Sequence, residues 1–217
     1  MTESIAGVPI PDTPLIADAT ALLTRTLVQG AASPLLFHHS RRVYLFGMLH
    51  AEIRGLAPDP ELLYVGAMFH DLGLTDTYRT PERRFEIDGA AVAEEFLRAR
   101  GVGAGPARQV WTAIALHTTP GVPEYMEPEI ALVTAGVETD VLGIGYAELD
   151  PAAVAEVVAA HPRPDFKDAI LRAFDHGFRD RPGSTFGTVN ADVLAHFDPT
   201  FERTDFVEVI RTNPWPE

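Results

Sequence analysis

Asp59-Pro60-Glu61-Leu62-Leu63-Tyr64-Val65-Gly66-Ala67-Met68-Phe69-His70-Asp71-Leu72-Gly73 opens with a capping residue and a proline, continues as an apolar run, and closes on a His-Asp doublet and a glycine. An aspartate followed by proline is the signature of a helix N-cap and first turn. The run behind it, Leu62, Leu63, Val65, Gly66 and Phe69, predicts a helix down to the doublet. Adjacent residues on a helix point about 100° apart, so His70 and Asp71 can share one ion only where the backbone leaves regular geometry or the side chains reach around it. Gly73 provides that place. A His-Asp pair alone is commonly a capped helix end, and this one gains weight from its surroundings.

The same signature recurs on both sides. Ser33-Pro34 opens a helix in which Leu35, Leu36, His39, Val43, Phe46, Leu49 and Ile53 recur at helical spacing until Gly55. Thr80-Pro81 predicts another, through Phe85, Ile87, Ala91, Val92 and Phe96 to Gly101, and Pro106 starts one holding Val110, Ile114 and His117. Glu124 to Asp140, the segment after Asp150-Pro151, and Pro164 to Arg179 with Phe166, Ile170, Phe174 and Phe178 also read as helices. Residues 180–188 form a loop by their turn residues, with two short helices after it. No run alternates apolar and polar residues as a half-buried strand does. The expectation is an all-α bundle, a single domain over 1–217 with its core in about 33–180 and a C-terminal extension at 181–217.

Composition narrows the function. The chain has 217 residues, 46% of them hydrophobic, enough for one sizeable core. It has no cysteine, which removes disulfides, thiolate metal sites and cysteine nucleophiles. The 31 acidic against 17 basic residues give a formal charge of −14, and Lys167 is the single lysine. That argues against nucleic acid as a partner, because affinity for a phosphate backbone needs many cationic contacts. A cluster such as Arg79, Arg83 and Arg84 could still bind one phosphate. Met1 to Pro14 lacks the pattern of a secretion signal, and no run of roughly eighteen apolar residues spans a bilayer. A cytoplasmic protein acting on a small molecule, with no membrane partner and room for a homo-oligomer, is the expectation.

His39 is in phase with Leu35, Val43 and Phe46 and faces the helix interior, whereas His38 is turned away. Together with His70, Asp71 and the late acidic residue Asp140, in Val137-Glu138-Thr139-Asp140-Val141-Leu142-Gly143, it would place two imidazoles and two carboxylates around one ion. Such a set suits zinc, iron or manganese better than calcium or copper. His38, His50, His161, His176 and His196 fall in no such pattern, and His176 in Phe174-Asp175-His176-Gly177 reads as a helix-end residue. Trp111 reads as core, and Thr75 and Thr118 could offer hydroxyls to a small polar substrate.

These residues resemble the HD superfamily of metal-dependent hydrolases, named for its His…His-Asp…Asp ligands. The match lies in His39-Ser40-Arg41-Arg42-Val43-Tyr44, Phe69-His70-Asp71-Leu72-Gly73 and Asp140. Within it the chain looks most like the cyanamide hydratase branch, through Arg84-Phe85-Glu86-Ile87-Asp88-Gly89-Ala90, Ile114-Ala115-Leu116-His117-Thr118 and a tail, Phe206 to Pro216, ending Asn213-Pro214-Trp215-Pro216. The resemblance covers roughly residues 33 to 216. It implies an HD-domain helical bundle around one divalent ion, zinc first, with iron or manganese as alternatives. The metal ligands implied are His39, His70, Asp71 and Asp140. It also implies a hydratase of cyanamide or a similar small nitrile, in which water activated by the ion attacks the nitrile carbon and a nearby acid protonates the developing nitrogen anion. His117 is the candidate acid, and Glu86 is a second catalytic candidate lining the pocket. Two departures matter. Many phosphodiesterases of the superfamily carry a lysine soon after the doublet, where this chain has Leu74-Thr75-Asp76-Thr77, and two-metal members use extra histidines where this chain has only His117. One metal is therefore expected, with a phosphohydrolase of a nucleotide or phosphomonoester as the alternative, and a non-catalytic bundle stapled by its metal as a third reading that the lack of cysteine disfavours.

Overall fold

The computed structural model describes residues 3–30 and 34–215. Ten α-helices occupy the described residues: α1 (Pro14–Gln29), α2 (Leu35–Arg54), α3 (Pro60–Phe69), α4 (Phe85–Ala99), α5 (Ala104–Leu116), α6 (Pro128–Val137), α7 (Pro151–Ala160), α8 (Phe166–Phe178), α9 (Asn190–Phe197) and α10 (Phe206–Arg211). The sole sheet among them is a two-residue antiparallel ladder, Ser4–Ile5 with Val8–Pro9. The all-α expectation is met. Among the described residues no helix is long and apolar enough to cross a membrane.

Capping chemistry sets several helix starts. The Asp59 side chain accepts hydrogen bonds from the Glu61 and Leu62 amides, and Asp150 accepts from the Ala152 amide, each ahead of a proline at the first helical position. Thr13-Pro14 uses the same device to start α1, a helix the pattern analysis did not delineate. Ser33 lies outside the described residues, and α2 begins directly after Pro34. Elsewhere tertiary demands move the boundaries. Thr80-Pro81 starts no helix: the Thr80 amide and hydroxyl are spent on the Asp88 carboxylate, which holds 75–84 as a loop and delays α4 to Phe85. Residues 124–140 are not one helix but a 3-10 turn at Pro123–Tyr125, α6, and a π-turn at Glu138–Leu142. The loop at 180–188 contains a 3-10 turn, Pro182–Thr185, and the two short helices follow as expected. Of the C-terminal tail motif, Pro216 lies outside the described residues.

α2 runs through the centre and is buried on nearly every side from His39 to Gly47. It packs on α3 and α6, while α4 lies against α5 and α1 against α3. The α2–α6 crossing is close because glycines stand on both helices: a Cβ on Gly136 would collide with the Val43 carbonyl, and one on Gly47 would meet the Leu132 carbonyl. This crossing brings the end of α6 behind His39. The core includes Leu23, Leu45, Leu63, Met68, Phe69 and Leu97, each at most 2% exposed. Burial of that kind is worth about 1.5–3 kcal/mol per large apolar side chain.

Candidate metal centre

α3 ends at Phe69, His70 still has α-helical dihedrals, and Asp71 at φ −100°, ψ 4° departs from them before a 3-10 turn at Leu72–Leu74. The backbone thus leaves regular helix at the doublet, as the sharing of one ion requires. Gly73 serves this differently from a simple helix breaker. Its φ is not positive, and a Cβ there would drive into the Phe85 carbonyl, so the glycine lets α4 close on the doublet.

Two histidines are aimed at one point. His70 Nδ1 donates to the Ala67 carbonyl at 2.7 Å, and His39 Nδ1 lies 2.6 Å from Asp140 Oδ2, which leaves each Nε2 facing the other at 3.1 Å. Asp71 Oδ2 stands 3.3 Å from His70 Nε2 and 3.6 Å from His39 Nε2. Neither Asp71 oxygen, both buried, accepts a hydrogen bond. An orphaned carboxylate facing two imidazole lone pairs is costly unless a cation lies between them. The three separations also match the roughly 3.4 Å edge of a tetrahedron with bonds of about 2.1 Å. His39, His70 and Asp71 therefore fit a divalent ion.

A family model for the HD domain matches residues 36–182. The chain belongs to the HD-domain family. Members of this family are typically metal-dependent hydrolases, and the His-His-Asp cluster is a group that could hold such a metal in this HD domain. No curated protein matches the chain significantly.

The fourth expected ligand of the HD domain faces other partners. Asp140, in the π-turn, is not brought into the cluster: its Oδ1 accepts from Arg42 Nε at 2.8 Å and from Arg163, and its Oδ2 from Arg42 Nη2 at 2.9 Å and His39 Nδ1. With its acceptor positions filled by guanidinium groups, Asp140 fixes the tautomer and direction of His39 from behind. Burial raises its pKa, but the His39 and Arg42 hydrogen bonds prevail and keep it ionised. Arg42, fully buried, also donates to the His161 and Pro162 carbonyls, both at 3.0 Å. His161, assigned no part by the sequence, lies 3.2 Å by Nδ1 from His38 Nδ1 and accepts from Arg41 Nε at 3.4 Å.

Of the two catalytic candidates of this HD domain, His117 lies beside the cluster and Glu86 lies against Thr118, the residue after His117. His117 repeats the device of His70: at the end of α5 its Nδ1 donates to the Ile114 carbonyl at 2.6 Å, and its Nε2 stands 3.8 Å from Asp71 Oδ1. Its ring lies edge-on to His70, with centroids 4.9 Å apart, and against Phe85. Burial, then the neighbouring His70, depresses its pKa to about 4, so at neutral pH Nε2 carries a lone pair and no proton. Glu86 is fully buried in the first turn of α4, where Arg84, Thr118 and Asn190 donate to it. Against the cost of burial, the hydrogen bond and charge of Arg84 and the Thr118 hydroxyl hold it ionised.

The arginines weighed for phosphate are all engaged: Arg79 with Asp76 and Asp180, Arg83 with Asp88, Arg84 with Glu86. Arg181 is buried and ties the site loop down, donating to Asp88 Oδ2 at 2.6 Å, to the Gly73 carbonyl at 2.7 Å and to the Thr80 and Arg83 carbonyls. Arg163, Arg181 and Asn190 carried no sequence signal, and Arg42 stood in a matched motif without a role, because isolated polar residues look alike until the fold shows what they face. Thr75 spends its hydroxyl on the Leu72 carbonyl, whereas Thr118 points its own at Glu86.

Proposed function

We propose that this HD-domain protein is a metal-dependent hydratase that adds water to a small uncharged molecule, cyanamide or a similar small nitrile. The observation that carries this reading is the closure of the centre. His39 and His70 are 0% exposed, Asp71 and His117 3%, and Glu86 0%, while Arg79, Arg83 and Arg84 are each held by a carboxylate. A buried site with neighbouring cations already neutralised suits a compact neutral substrate better than a phosphate ester, whose charge would need free guanidinium or ammonium groups.

His39, His70 and Asp71 would hold the ion, with zinc the expected metal and iron or manganese compatible with the same donors. A divalent ion there supplies water acidified toward neutral pH and polarisation of the electrophile. The chain's own groups do the rest. His117 Nε2, neutral and facing the cluster, takes the proton that water loses as its oxygen bonds to the nitrile carbon, and gives it to the nitrile nitrogen. The cyanamide C≡N and one water thereby become isourea, whose remaining hydroxyl proton moves to the same nitrogen to give urea, with no co-reactant. His117 is thus a base before it is an acid, a role open to it because its lone pair is free at the start. Asp140 keeps His39 in the tautomer that exposes Nε2, and burial of the centre excludes bulk water from competing for the proton.

The test is a product assay on metal-loaded protein. Urea formed from cyanamide, with no phosphate released from nucleotides or phosphomonoesters, is the expected outcome; phosphate release without urea would replace the hydratase reading with a phosphohydrolase.

A further inference from the structure

Glu86 treats its two carboxylate oxygens unequally. Oε1 accepts from Arg84 Nη2 at 2.8 Å, Thr118 Oγ1 at 2.5 Å and Asn190 Nδ2 at 3.1 Å. Oε2 has one long contact, Arg84 Nε at 3.3 Å. Three donors saturate Oε1, while Oε2 keeps acceptor capacity in a fully buried position, on a carboxylate bonded to Thr118, the residue that follows His117. A carboxylate has only lone pairs to offer, so what Oε2 can recognise is an N–H or O–H.

The third donor comes from outside the family's own domain. The HD match ends at residue 182, and Asn190 is the first residue of α9, itself 5% exposed. One turn on, Leu194 packs into a cluster with Leu74, Phe85 and Phe178, which fixes α9 against the turn that follows the doublet and the start of α4. The amide is therefore delivered by a helix with its own anchor.

We propose that Glu86 Oε2 recognises an N–H next to the electrophilic carbon of the substrate, and that Asn190, from the segment after the HD domain, is the positioning residue that turns the carboxylate to present that oxygen. The inference rests on the small-molecule reading above and refines it. It selects amino-nitriles and amide-like molecules, which carry an N–H on the atom bonded to the reacting carbon, over alkyl nitriles, which carry none. A site built around one buried acceptor rejects an isostere lacking the donor, because the acceptor is left unpaired.

The test is equilibrium binding of urea and of acetone to the zinc-loaded full-length protein by calorimetry or ligand-detected NMR. The two probes share a carbonyl and a similar shape, and only urea has N–H groups. Urea should bind at least about tenfold more tightly than acetone, the weight of one hydrogen bond to a charged acceptor. Glu86→Gln should abolish that preference: its amide oxygen can still accept from Arg84, Thr118 and Asn190, which puts an NH2 where Oε2 was. Asn190→Ala should narrow the preference with zinc stoichiometry unchanged, whereas a purely structural role would leave discrimination between the probes intact. Equal binding of urea and acetone, no binding of urea, or a preference that survives Glu86→Gln would each overturn the proposal. If urea discrimination is present but cyanamide yields no urea, the hydratase reading fails and this assignment stands.

Discussion

His39, His70 and Asp71 differ from Asp140 in what their donor atoms face, and mutation should separate them. His70→Ala and Asp71→Ala remove atoms that converge on the ion, so metal and activity should vanish together. Asp140→Asn leaves a group that can accept from His39 Nδ1 but lacks the charge that pairs with Arg42 and Arg163. Metal affinity should then fall by about 10–100-fold without being lost, the usual effect of altering a group behind a ligand. Competition with a chelator of known affinity checks this, and loss of metal as complete as in Asp71→Ala would restore Asp140 to the ligand set. His117→Ala should retain metal and lose about 10²–10⁴ in kcat, the range of a general acid–base group. Histidine also sets a pH dependence. Burial, then the cations Arg41, His38 and Arg42, lowers His161 to about 4. A histidine depressed below its unfolded value near 6.5 favours the fold while neutral, so its contribution is complete above about pH 6.5 and is lost as the pH falls toward 4. Melting temperature should decline over that window, and His161→Gln should flatten the decline; an unchanged slope in the variant would exclude His161 as the cause.

At the scale of elements, the α2–α6 crossing sets the distance between His39 and the π-turn that carries Asp140. Gly136→Ala forces a methyl against the Val43 carbonyl. Overpacking of this kind costs about 1–3 kcal/mol, so a lower denaturation midpoint with reduced metal affinity is expected, and a variant as stable as the parent would show that the helices can separate. Helix existence was legible from capping pairs and apolar spacing, and Asp59-Pro60 and Asp150-Pro151 start their helices where a proline N–H is not missed. Thr80-Pro81 carries the same letters without a helix, because Asp88, eight residues on, takes the threonine's hydrogen-bonding groups. The interior phase of His39 was legible against His38, which stays half-buried. The π-turn was not, since its spacing departs from the helical period only at residues 138–142.

At the scale of the whole molecule, the metal cluster joins α2 to the end of α3, and Arg181 joins the end of α8 to the loop beyond the doublet. Arg181→Ala removes one of the two cations at buried Asp88, leaving Arg83, and leaves four backbone carbonyls without this donor. A loss on the order of 3 kcal/mol is expected, as when one partner of a buried pair is removed. Equilibrium denaturation would measure it, and a change below about 0.5 kcal/mol would mean the loop is held by other contacts. The −14 charge does not describe the site, where Asp140 meets Arg42 and Arg163 and Glu86 meets Arg84; net charge is legible in sequence, but this local pairing appears only in the fold. The most direct test of a functional metal centre at His39, His70 and Asp71 is the metal content of purified wild-type protein and His70→Ala, each loaded with zinc, iron or manganese and freed of excess. About one ion per wild-type chain and none in the variant is the predicted result; an ion retained by His70→Ala, or no ion in the wild type with any of the three metals, would contradict it.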